Sequence, residues 1–131
     1  MGAIMEMLHE EDPREKLLKE IGNISDIEIF NNQVLLAVYI RPDKLKSGLY
    51  MPDKTRDEDR YQGKVGLLVK RGPAAFMDDG EWFSGLEFTE NKDWLVFRPS
   101  EGWQLTVNGV LCRMFEDVDL KGRVPHPDRV Y

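Results

Sequence analysis

The side chains that most often do chemistry are few in this chain and far apart. The two histidines, His9 and His126, lie near opposite ends, and Cys112 is the one cysteine. A zinc site needs three or four cysteine, histidine or carboxylate ligands, so these residues do not build one. Neither a glycine-rich phosphate loop nor a nucleophile motif around a serine occurs in the sequence. We therefore predict a protein that is not an enzyme and that uses no metal or cofactor.

Two further features that could carry chemistry are better explained as structure. Asp78, Asp79 and Glu81 resemble metal ligands, but their spacing lacks the alternating donors and the closing glutamate of a calcium loop. We interpret them as a solvated acidic turn. Cys112 alternates with two apolar residues in a strand pattern, and no histidine is near it in sequence. This pattern predicts a buried core thiol rather than a reactive one.

Composition excludes several classes of partner. The 131 residues include 18 basic and 24 acidic side chains, and the net charge is −6. Without a basic stripe to neutralise phosphates, a nucleic-acid partner is not expected. No apolar run approaches the roughly 20 residues of a membrane helix, and no secretory signal pattern is present near the start. A single cysteine forms no internal disulfide, which agrees with a cytoplasmic protein.

The segment most open to a functional interpretation is an apolar triplet, Leu49, Tyr50 and Met51. Gly48 precedes the triplet and Pro52 ends it, which disfavours both a helix and a central strand. Residues 53–60 then carry three positive and four negative charges with no apolar period. Long loops inside compact domains are commonly functional. From the residues alone two interpretations stay open: the triplet docks into the groove of a partner, or it folds back onto its own domain.

The remaining patterns predict a mainly β fold with one short helix. An N-cap at Asp12, Pro13 at the first helical position and Gly22 at the end predict a nine-residue helix. Alternating patterns predict strands over 24–30, 34–41, 63–70, 93–98, 103–107, 109–115 and 120–124. The strand at 34–41 is apolar on both faces, so it needs cover on both. Asn108-Gly109 is a strong signal for a type I′ hairpin. Residues 74–91 predict a second excursion, a short hairpin with Trp82 and Phe83 exposed.

Together these elements predict a small antiparallel β-barrel. Its domain organisation is an N-terminal extension with the helix (1–32), the barrel (33–124, with the long loop at about 44–62) and an extended tail (125–131).

The order of these features resembles the chaperonin-10 family, the GroES-like co-chaperonins. Residues 34–38 are similar to the first barrel strand of that family, and residues 46–54 resemble its mobile loop, in which a glycine precedes an apolar tripeptide. Residues 63–65, 93–97 and 108–119 resemble its return strand, later barrel strand and closing hairpin, so that the resemblance covers about 34–124. It implies a homo-oligomeric ring, seven-membered in this family, that caps the folding chamber of a GroEL-like chaperonin. The client protein is then contacted only indirectly.

The resemblance also assigns the partner-binding residues. Gly48, Leu49, Tyr50, Met51 and Pro52 match the part of the mobile loop that binds the chaperonin. The family pairs its N-terminal strand with the C-terminal strand of the next subunit, and the extension of about 30 residues is unusual for it. This divergence resembles a viral member, which would act in the host cytoplasm.

Two alternatives come from other classes. One is a ring-forming structural or assembly protein that uses the barrel without binding a chaperonin. The other is the GroES-like catalytic domain of zinc dehydrogenases, which the missing metal ligands and nucleotide-binding half disfavour.

Overall fold

The computed structural model describes residues 11–41, 62–77 and 80–130, and within them the protein is mainly β. One helix precedes a six-stranded sheet in which every neighbouring pair is antiparallel, in the order β4-β5-β1-β2-β3-β6. The elements are α1 (Pro13–Ile21), β1 (Gln33–Val38), β2 (Val65–Arg71), β3 (Trp94–Val96), β4 (Trp103–Val107), β5 (Val110–Glu116) and β6 (Gly122–Val124), with short 3-10 turns at Asp117–Asp119 and Pro127–Arg129.

The helix has the predicted bounds because its ends are capped as the sequence indicates. The carboxylate of Asp12 accepts a hydrogen bond from the Arg14 backbone N–H at 3.0 Å, and Pro13 occupies the first turn. Gly22 ends the helix with φ at +67°, a conformation that favours glycine. Nine residues form a marginal helix in isolation, so its stability depends on packing against the sheet.

Two side-chain contacts attach the helix to the rest of the fold. At its first turn the Arg14 guanidinium donates to the Asn91 carbonyl at 3.2 Å. At its end the Asn108 side-chain amide donates to the Ile21 carbonyl at 2.7 Å. Asn108 has φ of +51° and Gly109 of +83°, as a type I′ turn requires, so the predicted hairpin between β4 and β5 is confirmed. The hairpin turn therefore also fixes the C-terminal end of the helix.

Strand β1 is buried on both faces, as its two apolar sides predict. One face carries Leu35, Ala37 and Tyr39, and the helix and the segment after it cover it through residues that include Ile21 and Ile24. The opposite face carries Val34, Leu36 and Val38, and it is covered by an aromatic cluster that includes Phe76, Phe83 and Phe88. The sheet thus separates two apolar clusters, and β1 contributes to both.

The predicted barrel is wrong for the described part of the chain, because the sheet is open. β4 and β6 are its two edges, and they do not pair with each other. Alternation in a sequence predicts which side chains are buried, but it does not predict whether the outer strands meet. Here the helix covers one face and the aromatic cluster covers the other, so the apolar surface is buried without closure of the sheet.

Three local predictions also differ from the structure. Residues 24–30 form no strand, although Ile27 and Ile29 pack against the first cluster as their alternation suggests. No hairpin forms in the described part of 74–91, where Trp82 is exposed as predicted but Phe83 is half-buried. The C-terminal tail is not extended throughout, because Pro127–Arg129 forms a 3-10 turn.

Candidate functional site

The residues predicted to contact a chaperonin lie outside the described residues. These are Gly48, Leu49, Tyr50, Met51 and Pro52. What the structure does describe is the pair of strands from which that segment departs and to which it returns.

Those two strands, β1 and β2, are neighbours at the centre of the sheet. Val38 lies opposite Gly66, and beyond it the Tyr39 N–H donates to the Val65 carbonyl at 3.1 Å. A Cβ atom at Gly66 would lie only 2.9 Å from the Ala37 carbonyl oxygen, so glycine permits this close approach. Residues 42–61 therefore connect two adjacent antiparallel strands whose ends emerge at the same end of the sheet.

A buried polar contact fixes the end of β1 to the C-terminal tail. The Tyr39 hydroxyl donates to the Asp128 carboxylate at 2.5 Å, and the Asp128 side chain is buried. The Asp128 backbone N–H in turn donates to Nδ1 of His126 at 3.2 Å. The Trp94 ring packs edge-on against Tyr39 with centroids 5.9 Å apart. The strand end from which the predicted loop departs is thus joined to the C-terminal tail and to Trp94 of β3.

An apolar groove of about 420 Å³ lies beside the edge strand β6. Three aromatic rings form one wall: Phe76 stacks on Phe88 at 4.0 Å between centroids, and Phe83 packs edge-on against both. The buried Asp117 carboxylate holds this wall in place by accepting a hydrogen bond from the Phe76 N–H at 2.9 Å. Trp82 lies at the rim and is 61% exposed. The rest of the lining is Leu86, Leu95, Val118, Leu120, Lys121, Gly122 and Arg123.

The two cations of this groove differ in how strongly they are already bound. Arg123 donates to the Glu87 carbonyl at 2.5 Å, lies 3.5 Å from the Asp93 carboxylate and sits over the Phe88 ring. The Lys121 ammonium lies 3.9 Å from the Glu101 carboxylate, at the limit of an ion pair, and remains 43% exposed. Lys121 is therefore the cation that can pair with an incoming carboxylate.

Two stretches of backbone are left without a strand partner among the described residues. One is the outer side of β6. The other is residues 27–30, where the backbone N–H groups of Glu28, Ile29 and Phe30 make no hydrogen bond to any described residue. The Phe30 side chain is 66% exposed. Unpaired strand edges of this kind are templates for pairing with another chain.

Arg113 is a buried cation that the sequence analysis missed. Its side chain lies on β5, is 8% exposed and sits over the Phe97 ring at 5.6 Å. No hydrogen-bond partner contacts its Nε or Nη1, and burial lowers the pKa of the guanidinium. The available signal was the alternation of Leu111, Arg113 and Phe115, which places a charge on an apolar face.

Cys112 is the core thiol that its alternation predicts. It is fully buried, and its Sγ contacts the Val110 carbonyl at 3.5 Å. Burial raises the pKa of the thiol to about 11, so the thiolate is scarce near neutral pH.

The described residues contain neither a cluster of metal ligands nor a membrane-spanning helix. Among residues 11–41, 62–77 and 80–130 no group of three or more histidine, cysteine or carboxylate side chains is arranged to hold a metal ion. Of the acidic turn proposed as solvated, Asp78 and Asp79 lie outside the described residues. No helix in the described ranges has the length and apolar character needed to span a membrane.

Comparison with known proteins adds no family. No family model matches the chain, and no curated protein is similar to it in sequence. The structure itself defines the class: a mainly β protein with an open six-stranded sheet, one capping helix and an apolar groove beside a free strand edge.

Proposed function

We propose that this protein is a GroES-like co-chaperonin that forms a homo-oligomeric ring and caps the folding chamber of a GroEL-like chaperonin. It acts without catalysis of its own, and the chaperonin hydrolyses ATP. Seven subunits and a cytoplasmic location, in a host cell if the protein is viral, belong to the same proposal.

The observation that carries the proposal is the position of the segment 42–61. It connects the two central strands of the sheet, whose buried residues belong to the cores on both faces. The Tyr39–Asp128 contact stabilises the strand end from which it departs. The segment that carries Leu49, Tyr50 and Met51 is therefore attached at both of its ends to strands of the core, and docking of the triplet would hold the whole domain on the partner.

The free strand edges support a ring. Among the described residues β6 has no strand partner on its outer side, and the backbone N–H groups of residues 28–30 make no hydrogen bond. If residues 27–30 of one subunit pair with β6 of the next, the contact is heterologous, and heterologous contacts that close generate rings. This is the pairing of N-terminal and C-terminal strands that the resemblance implies.

The energetics of docking favour several weak contacts over one strong contact. Burial of three apolar side chains contributes roughly 1.5–3 kcal/mol each. Ordering about ten backbone residues costs on the order of 1–2 kcal/mol per residue. One segment alone therefore binds weakly, whereas several segments on one ring bind at high effective concentration.

Substitution within the triplet tests the proposal. Tyr50→Asp or Met51→Asp is expected to abolish the complex with a chaperonin, because a charge cannot enter an apolar groove without a large desolvation penalty. Thr55→Asp, in the adjacent charged stretch, is the matched control and should still bind. Circular dichroism and sedimentation establish that each variant is folded and assembled. Loss of folding instead would mean that the triplet packs against its own domain.

A structural or assembly protein that forms a ring without a chaperonin is the second candidate. The free strand edges favour it equally, since they support assembly and not chaperonin binding. Limited proteolysis separates the two functions: a stretch 53–60 that is protected in the free protein favours the structural role.

A further inference from the structure

The aromatic groove beside β6 and the exposed Phe30 are two apolar surfaces of the same chain. We propose that Phe30 of one subunit inserts into the groove formed by Phe83, Phe88 and Trp82 of the next subunit, and that Glu28 pairs there with Lys121. The inference rests on the ring of the proposed function and names the side chains that would join its subunits.

Phe30 is presented away from its own core. Residues alternate between the two sides of an extended segment, so Ile27 and Ile29 share one side and Glu28 and Phe30 share the other. Ile27 and Ile29 pack against the cluster that contains the helix. Phe30 therefore faces outward on the same side as Glu28, and this agrees with its exposure of 66%.

A subunit does not fill its own groove with this side chain. The groove is built from the aromatic cluster on one face of the sheet, which includes Phe76, Phe83 and Phe88. Phe30 is not among the residues that line it, and its side chain is 66% exposed. Phe30 is therefore available to the groove of a second copy.

The groove suits an aromatic side chain next to a carboxylate. Its wall already contains edge-on and stacked rings, the geometries in which a further phenyl ring is favourable. Lys121 lies at the rim, and the edge of β6 beside it pairs with no other strand in the described part of the chain. Residues 28–30 bring an aromatic ring, a carboxylate and unpaired N–H groups, so each feature of one surface has its complement on the other.

Assembly of the full-length chain tests this contact. Sedimentation velocity over a range of concentrations gives the subunit concentration for half-maximal assembly. We expect Phe30→Ser and Trp82→Ser each to raise it at least about tenfold, as substitution of a central anchor does. Met77→Ser is the matched control, since Met77 is equally exposed but does not line the groove, and it should assemble as the wild type does.

A charge exchange tests the second contact. Glu28→Lys is expected to weaken assembly by placing two cations together, and the double variant Glu28→Lys with Lys121→Glu should restore it. Failure of the exchange to restore assembly, when each variant is folded by circular dichroism, would remove the Glu28–Lys121 pair from the proposal.

The outcome separates this inference from the proposed function. If Phe30→Ser and Trp82→Ser assemble as the wild type does, or if the wild type is monomeric at every concentration, the inference is wrong. If those variants assemble normally but lose the chaperonin, the groove takes a different partner and the inference is again wrong. A wild-type ring that depends on Phe30 but binds no chaperonin would refute the proposed function alone.

Discussion

Replacing Arg113 by methionine is expected to stabilise the protein. The guanidinium is buried over the Phe97 ring, and its Nε and Nη1 contact no acceptor. A charged donor without a partner retains its desolvation penalty, whereas methionine has a similar length and can pack its sulfur against the ring.

The magnitude follows from the groups that are lost. Two unsatisfied donors cost roughly 1–3 kcal/mol each. The cation–π contact with Phe97, which the substitution removes, stabilises the folded state by about 1–2 kcal/mol. The difference is about 0–5 kcal/mol. It brackets the roughly 1–4 kcal/mol seen when buried ionic groups are replaced by apolar residues, and we expect Arg113→Met to raise the free energy of unfolding by an amount in that narrower range.

Urea unfolding at several pH values measures the effect. Burial lowers the pKa of Arg113 from its usual value, so the folded state destabilises the cation at every pH below that lowered pKa. The cost of burying the charged guanidinium is relieved only at strongly alkaline pH. The increase in the free energy of unfolding from Arg113→Met should therefore be constant between about pH 6 and 9.

Arg98→Met is the control, because Arg98 is exposed and its ion pair with Glu101 is a surface contact. We expect a change within about 0.5 kcal/mol for it. If Arg113→Met instead destabilises the protein by more than about 1 kcal/mol, the guanidinium has a partner in the native assembly, and its treatment as an unpaired cation is wrong.

Three further predictions concern stability. Tyr39→Phe removes a hydrogen bond to the buried Asp128 carboxylate and should cost about 1.5–3 kcal/mol in urea unfolding, while near-native circular dichroism is retained. Asp12→Ala removes the helix N-cap and should cost about 1 kcal/mol, and an unchanged midpoint would mean that the cap contributes nothing. Because the pKa of Cys112 is raised to about 11, the folded state keeps a thiol proton that the unfolded chain loses. Stability should therefore fall by about 2–3 kcal/mol as the pH rises from about 9 to 11, and Cys112→Val should remove that part of the fall.

The elements that sequence predicted well are those with local causes. Asp12, Pro13 and Gly22 set the bounds of the helix through hydrogen bonds and backbone conformations within one turn. Asn108 and Gly109 set the hairpin through their positive φ angles. Strand β1 was predictable because apolar residues on both of its sides require cover on both faces.

The features that sequence missed depend on distant contacts. Whether the sheet closes depends on where β4 and β6 lie relative to each other, and no alternation pattern records that. Residues 24–30 have a strand pattern, but no strand within 11–41, 62–77 and 80–130 pairs with them. The aromatic wall of the groove joins Phe76, Phe83 and Phe88, whose spacing fits neither a helix nor a strand period.

The most direct test of the central claim is to mix the purified protein with a bacterial chaperonin, with and without nucleotide, and to measure the size of the complex. The proposed function predicts co-migration that depends on nucleotide and that is lost when the chain is cut between Asp53 and Arg60. A chain that forms a ring but gives no complex with any nucleotide would contradict it and would favour the structural role.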